Sequence, residues 1–163
     1  MAASWFQQPK RVRLPRAKKV EVRAEGGTSF LLRLMQFRRL NPKVRLGPED
    51  AMCVEFAASL RAASIEGRLR GVWTHPAQEL AHGHRSGVGG AIAKAMGMIT
   101  GTSDYLLLWD NGAGVLEAKS ATGSLTEAQK DWRKWCEAQG VRHAVFRTVD
   151  QGEDKLREWG VLS

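Results

Sequence analysis

Asp104, Glu117 and Lys119 are the residues of this 163-residue chain whose types and spacing could do chemistry. Asp104 opens the apolar run Tyr105, Leu106, Leu107, Leu108, Trp109, which reads as a strand. Asp110, Asn111, Gly112, Ala113 and Gly114 read as a loop of turn formers, and residues 115–119 as a second strand. Strand side chains alternate faces, so Val115, Glu117 and Lys119 share one face and Leu116 and Ala118 the other. A short hairpin brings Asp104 within reach of Glu117, and two carboxylates and an amine then converge at one sheet edge. Oxygen ligands of this kind suit Mg²⁺, which binds through one or two carboxylates, waters and a substrate phosphate. The chemistry such a set would suit is metal-assisted phosphodiester hydrolysis: the ion would polarise the phosphoryl oxygen and acidify water, and the lysine would orient that water or offset charge on the phosphate. Glu-x-Lys by itself is also the pattern of an exposed cross-face ion pair worth little.

The surrounding frame carries more information than the triplet. It reads Gly97-x-x-x-Gly101-x-Ser103-Asp104, a strand, a Gly-containing loop, Glu117-Ala118-Lys119, then Gly123-Ser124-Leu125-Thr126-x-x-Gln129 on a helix. This arrangement resembles the VRR-NUC family, nucleases of the PD-(D/E)XK, restriction-endonuclease-like superfamily. The resemblance is close over residues 73–159, looser over 47–70, and does not cover the first 46 residues. It implies a Mg²⁺- or Mn²⁺-dependent DNA endonuclease leaving a 5′-phosphate and a 3′-hydroxyl. Asp104, Glu117 and the Ala118 carbonyl would bind the ion, Lys119 would position water or neutralise the phosphate, and Gln129 would approach the attacking water or a phosphate. The family often places a further metal-site glutamate on its first helix. Glu49 is the better match and Glu55 the other, although the family's glutamine one turn on is Cys53 here. Small stand-alone members resemble Holliday-junction resolvases, which implies branched DNA as substrate and a homodimer, because two symmetric cuts need two related sites. The alternative function is a nucleic-acid-binding module that keeps the nuclease-like fold but does not cut.

The elements that must position these residues follow from local pattern. Residues 48–66 read as a helix, with Pro48 at its start, Glu49 and Asp50 at its positive end, and Met52, Phe56, Leu60 and Ala63 as its core stripe. Residues 69–74 read as a strand ended by His75-Pro76, because proline cannot donate to a ladder. Residues 77–90 form a polar, Gly-rich loop. Its His82 and His84, with His75 and Glu79, do not close a tetrahedral zinc site, and the loop is expected to contact DNA with Arg85 at a phosphate. Residues 90–98 read as a short helix on which Lys94 could reach another phosphate. Ser124 with Glu127, or Thr126 with Gln129, spells a capping box for the next helix, whose expected buried face is Leu125, Ala128, Trp132, Trp135 and Cys136. A strand over 142–149, with His143 structural, and a closing helix over 150–159 complete the order. The sum is α/β, a mixed central β-sheet flanked by helices, in agreement with a restriction-endonuclease-like core.

Charge is divided unevenly. Residues 1–46 carry +10 and residues 47–163 carry −2, which together make the chain's +8. The basicity therefore belongs to an N-terminal extension ahead of a nuclease-like domain at 47–163. Within it Lys10, Arg11, Arg13, Arg16, Lys18 and Lys19 crowd around Pro15, a run suited to phosphate and expected to be extended or disordered. Residues 20–34 fit a hairpin, while 30–40 also fit a short basic helix. No apolar run has membrane-spanning length, and the basic start lacks the apolar stretch of a secretory signal. Two cysteines inside predicted helices fit reduced, buried thiols and a cytoplasmic chain.

Overall fold

A computed structural model describes residues 43–76 and 88–163, together with residues 31, 32, 34 and 35. Helix α1 (Pro48–Ile65) starts where proline's fixed φ fits the first turn, with Glu49 and Asp50 at its positive end. Strand β1 (Val72–Thr74), helix α2 (Val88–Ala95), the hairpin of β2 (Tyr105–Trp109) and β3 (Gly112–Ala118), helix α3 (Glu127–Ala138), strand β4 (Arg142–Phe146) and helix α4 (Val149–Glu158) follow. The sheet order is β1-β2-β3-β4. Its first two pairings are antiparallel, and β4 joins β3 in parallel. A parallel pair needs a long crossover, which α3 supplies. This is the expected α/β architecture with a mixed sheet and flanking helices. No described helix is long and apolar enough to cross a membrane.

One face of the sheet carries the core. Tyr105, Leu107, Leu116, Ala118 and Phe146 pack against Phe56, Leu60 and Ala63 of α1 and Leu156 of α4. Phe56 sits at the centre, edge-on to Tyr105 at 5.0 Å between ring centroids and tilted against Phe146 at 4.6 Å. Each such side chain contributes about 1.5–3 kcal/mol by leaving water. A tight point in this core is Gly152 of α4, where a Cβ would lie 2.7 Å from Phe56 Cε2 and 3.1 Å from Phe146 Cδ2. Gly152→Ala is therefore expected to destabilise the fold by about 2 kcal/mol through overpacking, despite alanine's better helix propensity. A denaturant midpoint equal to or above wild type would show that the two rings yield at no cost.

Several boundaries differ from the sequence expectation, each for a local reason. The strand expected over 69–74 shrinks to β1, because Arg70 donates its N–H to the Val161 carbonyl at 2.8 Å and Leu69 bridges Leu162 instead. The loop expected over 110–114 is only Asp110 and Asn111, with Asn111 in the left-handed region at φ 64°. Gly112 and Gly114 belong to β3. A Cβ on either would strike Trp109 or Trp159, whose indoles stack at 6.1 Å. The expected helix over 90–98 starts earlier, at Val88, and stops at Ala95. Strand β4 stops at Phe146 because Thr148 caps α4, accepting from the Gln151 N–H at 3.2 Å. Of the expected apolar face of α3 only Cys136 is buried, and Trp135 is 51% exposed. Trp132, Trp135 and Cys136 instead border an apolar groove of about 410 Å³ between α3 and the outer face of β1, β2 and β3. In the segment open to hairpin or helix, Leu31, Leu32 and Leu34 are helical, and Met35 donates to the Leu31 carbonyl at 2.8 Å. The run from Lys10 to Lys19 lies outside the described residues.

Candidate active site

The β2–β3 hairpin aligns the acids. Tyr105 pairs with Leu116, so one step further along the antiparallel ladder Asp104 faces the level of Glu117. Asp104 is fixed there: its Oδ2 accepts the Ala118 N–H at 2.7 Å. Tyr105 adds a second tether, donating its hydroxyl to the Cys53 carbonyl of α1 at 2.8 Å. Gly101, at φ 87°, lets the preceding chain pass against α3, where a Cβ would lie 2.6 Å from the Ala128 backbone. Alternation on β3 sends Leu116 and Ala118 into the core and turns Glu117 to the other face, toward α3.

Glu117 is 1% exposed and is the centre of a polar cluster. Its Oε1 accepts from Lys119 Nζ at 2.6 Å and from the Gln129 amide. Its Oε2 is buried with no hydrogen-bond partner among the described residues. Gln129 reaches it from the first turn of α3, where the capping box is Thr126 with Gln129 rather than Ser124 with Glu127. The Gln129 side-chain oxygen accepts the Thr126 N–H at 2.9 Å, so the same side chain caps the helix and holds the acid. Lys119, also buried, has Glu49 Oε1 at 3.6 Å on its other side, and Glu49 Oε2 accepts the Ser120 N–H at 3.1 Å.

Electrostatics follow from burial. Loss of water pushes the Glu117 carboxyl up to about 7, against the opposing hydrogen bond from Lys119 and with help from the charge of Asp104. Burial also raises Asp104, while the Ala118 N–H, His75 and Lys119 work against it. For Lys119 burial pulls downward, but the Glu117 hydrogen bond and the charges of Glu117, Glu49 and Asp104 outweigh it and raise the amine. Burial drives the Cys53 thiol up to about 12, so both free cysteines are poor nucleophiles, Cys136 being raised for the same reason.

Asp104 and Gln129 form part of the wall of a cleft of about 230 Å³, with His75, Thr100, Ser103 and Thr126 around them. Ser103 beside Asp104 is buried and accepts the Trp132 indole N–H at 3.2 Å. His75, read from the sequence only as a strand end and a rejected zinc candidate, lines this cleft. Its ring meets Tyr105 edge-on at 4.9 Å, and its position could not be read from a histidine at the end of a strand. The Ser120 N–H was equally invisible, since backbone donors leave no signature in residue type.

The sequence-derived residues divide into three groups. Asp104, Glu117, Ala118, Lys119, Gln129 and Glu49 come together. Glu55 is exposed on α1 and takes part in none of the site's hydrogen bonds or ion pairs, and Lys94 is exposed on α2. Arg85, Glu79, His82, His84, Lys10, Arg11, Arg13, Arg16, Lys18 and Lys19 lie outside the described residues. His143 stands on β4 opposite Val115, with Nδ1 buried, and burial lowers its pKa, in keeping with a structural residue.

Among the described residues no three His, Cys, Asp or Glu side chains gather into a metal cluster by themselves. A Mg²⁺ site needs fewer, because carbonyls, waters and phosphate complete its shell. The unpartnered, buried Glu117 Oε2 next to Asp104 is the observation that fits a hard cation, since a buried carboxylate oxygen without a partner is costly.

The fold places the chain in one structural class, an α/β protein with a VRR-NUC-like fold. A solved structure described as a "VRR_NUC domain protein" superposes with a TM-score of 0.51 at 16% identity, over 74% of this chain and 93% of that one. Neither a family model nor a curated protein matches the chain.

Proposed function

We propose that this chain is a Mg²⁺- or Mn²⁺-dependent DNA endonuclease of the PD-(D/E)XK type, acting on branched DNA as a homodimer. The observation that carries the reading is Glu117 Oε2, a buried carboxylate oxygen without a partner, beside Asp104 and within a hydrogen-bonded acid, amine and amide cluster. Asp104, Glu117 Oε2 and the Ala118 carbonyl would hold the ion. When bound, the ion supplies Lewis acidity at the phosphate and an acidified water.

This chain's own residues do the remaining work. Asp104 is oriented by the Ala118 N–H. Glu117 is oriented through Oε1 alone, which leaves Oε2 available. Lys119 is raised above its ordinary value and stays protonated, so it acts as a cation toward the scissile phosphate and not as the base. Gln129 uses its carbonyl on the helix cap and its amide N–H on Glu117. It therefore serves to orient the acid more than to hold water, a narrower role than the family resemblance implies. The basic extension at 1–46 adds sequence-independent phosphate affinity that weakens with salt, and residues 47–163 form the catalytic domain. Two copies would supply the paired cuts that junction resolution needs.

A panel of four-way junction, flap, duplex and single strand, each with and without Mg²⁺, tests this. The expected result is Mg²⁺-dependent cleavage with the junction preferred. Metal-independent binding without cleavage of any substrate would favour the non-cutting module, and preference for plain duplex would remove the branched-DNA part.

A further inference from the structure

Glu49 occupies the second position of α1, where an acidic side chain ordinarily serves its own helix N-terminus. Here it does not. The α1 N-terminus has no side-chain cap, and Glu49 reaches across 71 residues of sequence to the end of β3. One oxygen accepts the Ser120 N–H at 3.1 Å and the other stands 3.6 Å from Lys119 Nζ. The Lys119 amine is thus bracketed, with Glu117 at 2.6 Å on one side and Glu49 on the other, and its side chain is only 10% exposed. We infer that Glu49 is the positioning residue for Lys119, and not a metal ligand: it pins the amine and the backbone just beyond it so that the cation faces the scissile phosphate.

The physical argument is geometric. A lysine held by one carboxylate can rotate about that contact through several torsions, because the ammonium is a point charge with no preferred plane. A second carboxylate on an independent element, itself anchored to the backbone of the next residue, removes that freedom. Both Glu49 oxygens already have partners just beyond β3, whereas Glu117 keeps Oε2 without one. The two glutamates therefore divide the work, Glu117 offering an oxygen to the cation and Glu49 offering both of its own to the lysine and its neighbour. This inference rests on the nuclease reading for its catalytic consequence, but the anchoring itself does not.

The test uses the full chain and Glu49→Gln, with Glu117→Gln as the metal-ligand reference. First, thermal unfolding in EDTA of Glu49→Gln, Lys119→Met and the double variant should be non-additive, the second substitution lowering Tm by at least about 2 °C less once the first is present. Additive shifts overturn the anchoring whether or not the protein cuts DNA. Second, calorimetric Mg²⁺ titration should give Glu49→Gln an affinity within about threefold of wild type, while Glu117→Gln loses tenfold or more. An equal loss in both makes Glu49 a ligand and overturns the inference. Third, junction cleavage by Glu49→Gln should fall about tenfold in kcat with KM for DNA unchanged. Unchanged kcat overturns the positioning role. Absence of Mg²⁺ binding and cleavage in the wild type defeats the nuclease reading instead and takes the catalytic role of Glu49 with it.

Discussion

Replacing Glu117 or Lys119 by alanine should reduce Mg²⁺-dependent cleavage by about 10³-fold while leaving DNA affinity within about twofold. The two losses have different causes. Glu117→Ala removes the carboxylate oxygen that has no protein partner and also the acceptor that organises Lys119 and Gln129. Lys119→Ala keeps both carboxylates but removes the cation proposed to offset charge on the phosphate. Groups that act as a unit are not additive, so the double variant should be no worse than either single one by more than a few fold. Binding should survive because the chain's net positive charge resides in residues 1–46. Glu117 is fully buried, so its alanine variant also opens a cavity. Glu117→Gln, which keeps the volume, separates folding from chemistry. Single-turnover cleavage and filter binding on the same junction measure both quantities. Near-wild-type cleavage by the glutamine variant would remove Glu117 from the mechanism.

How much of this was legible in the chain depends on which forces set each feature. The acid, acid and lysine set was readable because strand alternation and one hairpin determine it, and both are local. The Thr126 to Gln129 box was readable for the same reason, although the competing Ser124 to Glu127 pattern has the same residue chemistry and only the fold separates them. The length of the hairpin loop was not readable. Gly112 and Gly114 look like turn formers, yet they lie in β3 because Trp109 and Trp159, 50 residues apart, need the space above them. Trp135 was expected inside because helical spacing identifies a face, not what covers it; the groove beside α3 leaves it half exposed. A helix wheel puts Glu49 on the side of Met52, Phe56 and Leu60 and Glu55 about 120° from it, in line with the resemblance that preferred Glu49. That Glu49 reaches Ser120 and Lys119 is a tertiary fact with no local trace.

The folded protein without metal should lose stability as pH rises, and Glu117→Gln should remove that loss. Burial raises Glu117 from 4.5 to about 7. A carboxyl raised on folding favours the native state while it is protonated in both states, so its contribution is fully present below about pH 4.5. Above that pH the unfolded chain releases the proton first, and the contribution declines until it is spent at about pH 7. The span corresponds to at most about 3–4 kcal/mol, or on the order of 10 °C in Tm for a chain of this size. Other groups move in the same range: burial lowers His143, which works in the opposite direction below about pH 6.5, and burial raises Asp104. Both are present in wild type and variant, but Asp104 is coupled to Glu117, so the difference between the two Tm curves reports Glu117 together with that coupling. Lys119 stays protonated throughout and contributes only a constant offset. In EDTA the two curves should therefore diverge between pH 4.5 and 7 and run parallel above it. Saturating Mg²⁺ should restore the wild type at pH 8 by mass action on the native state and leave Glu117→Gln nearly unmoved. Parallel curves across the whole range would mean that Glu117 titrates alike in the folded and unfolded chain, and that its unpartnered oxygen is solvated by water in place of awaiting a cation.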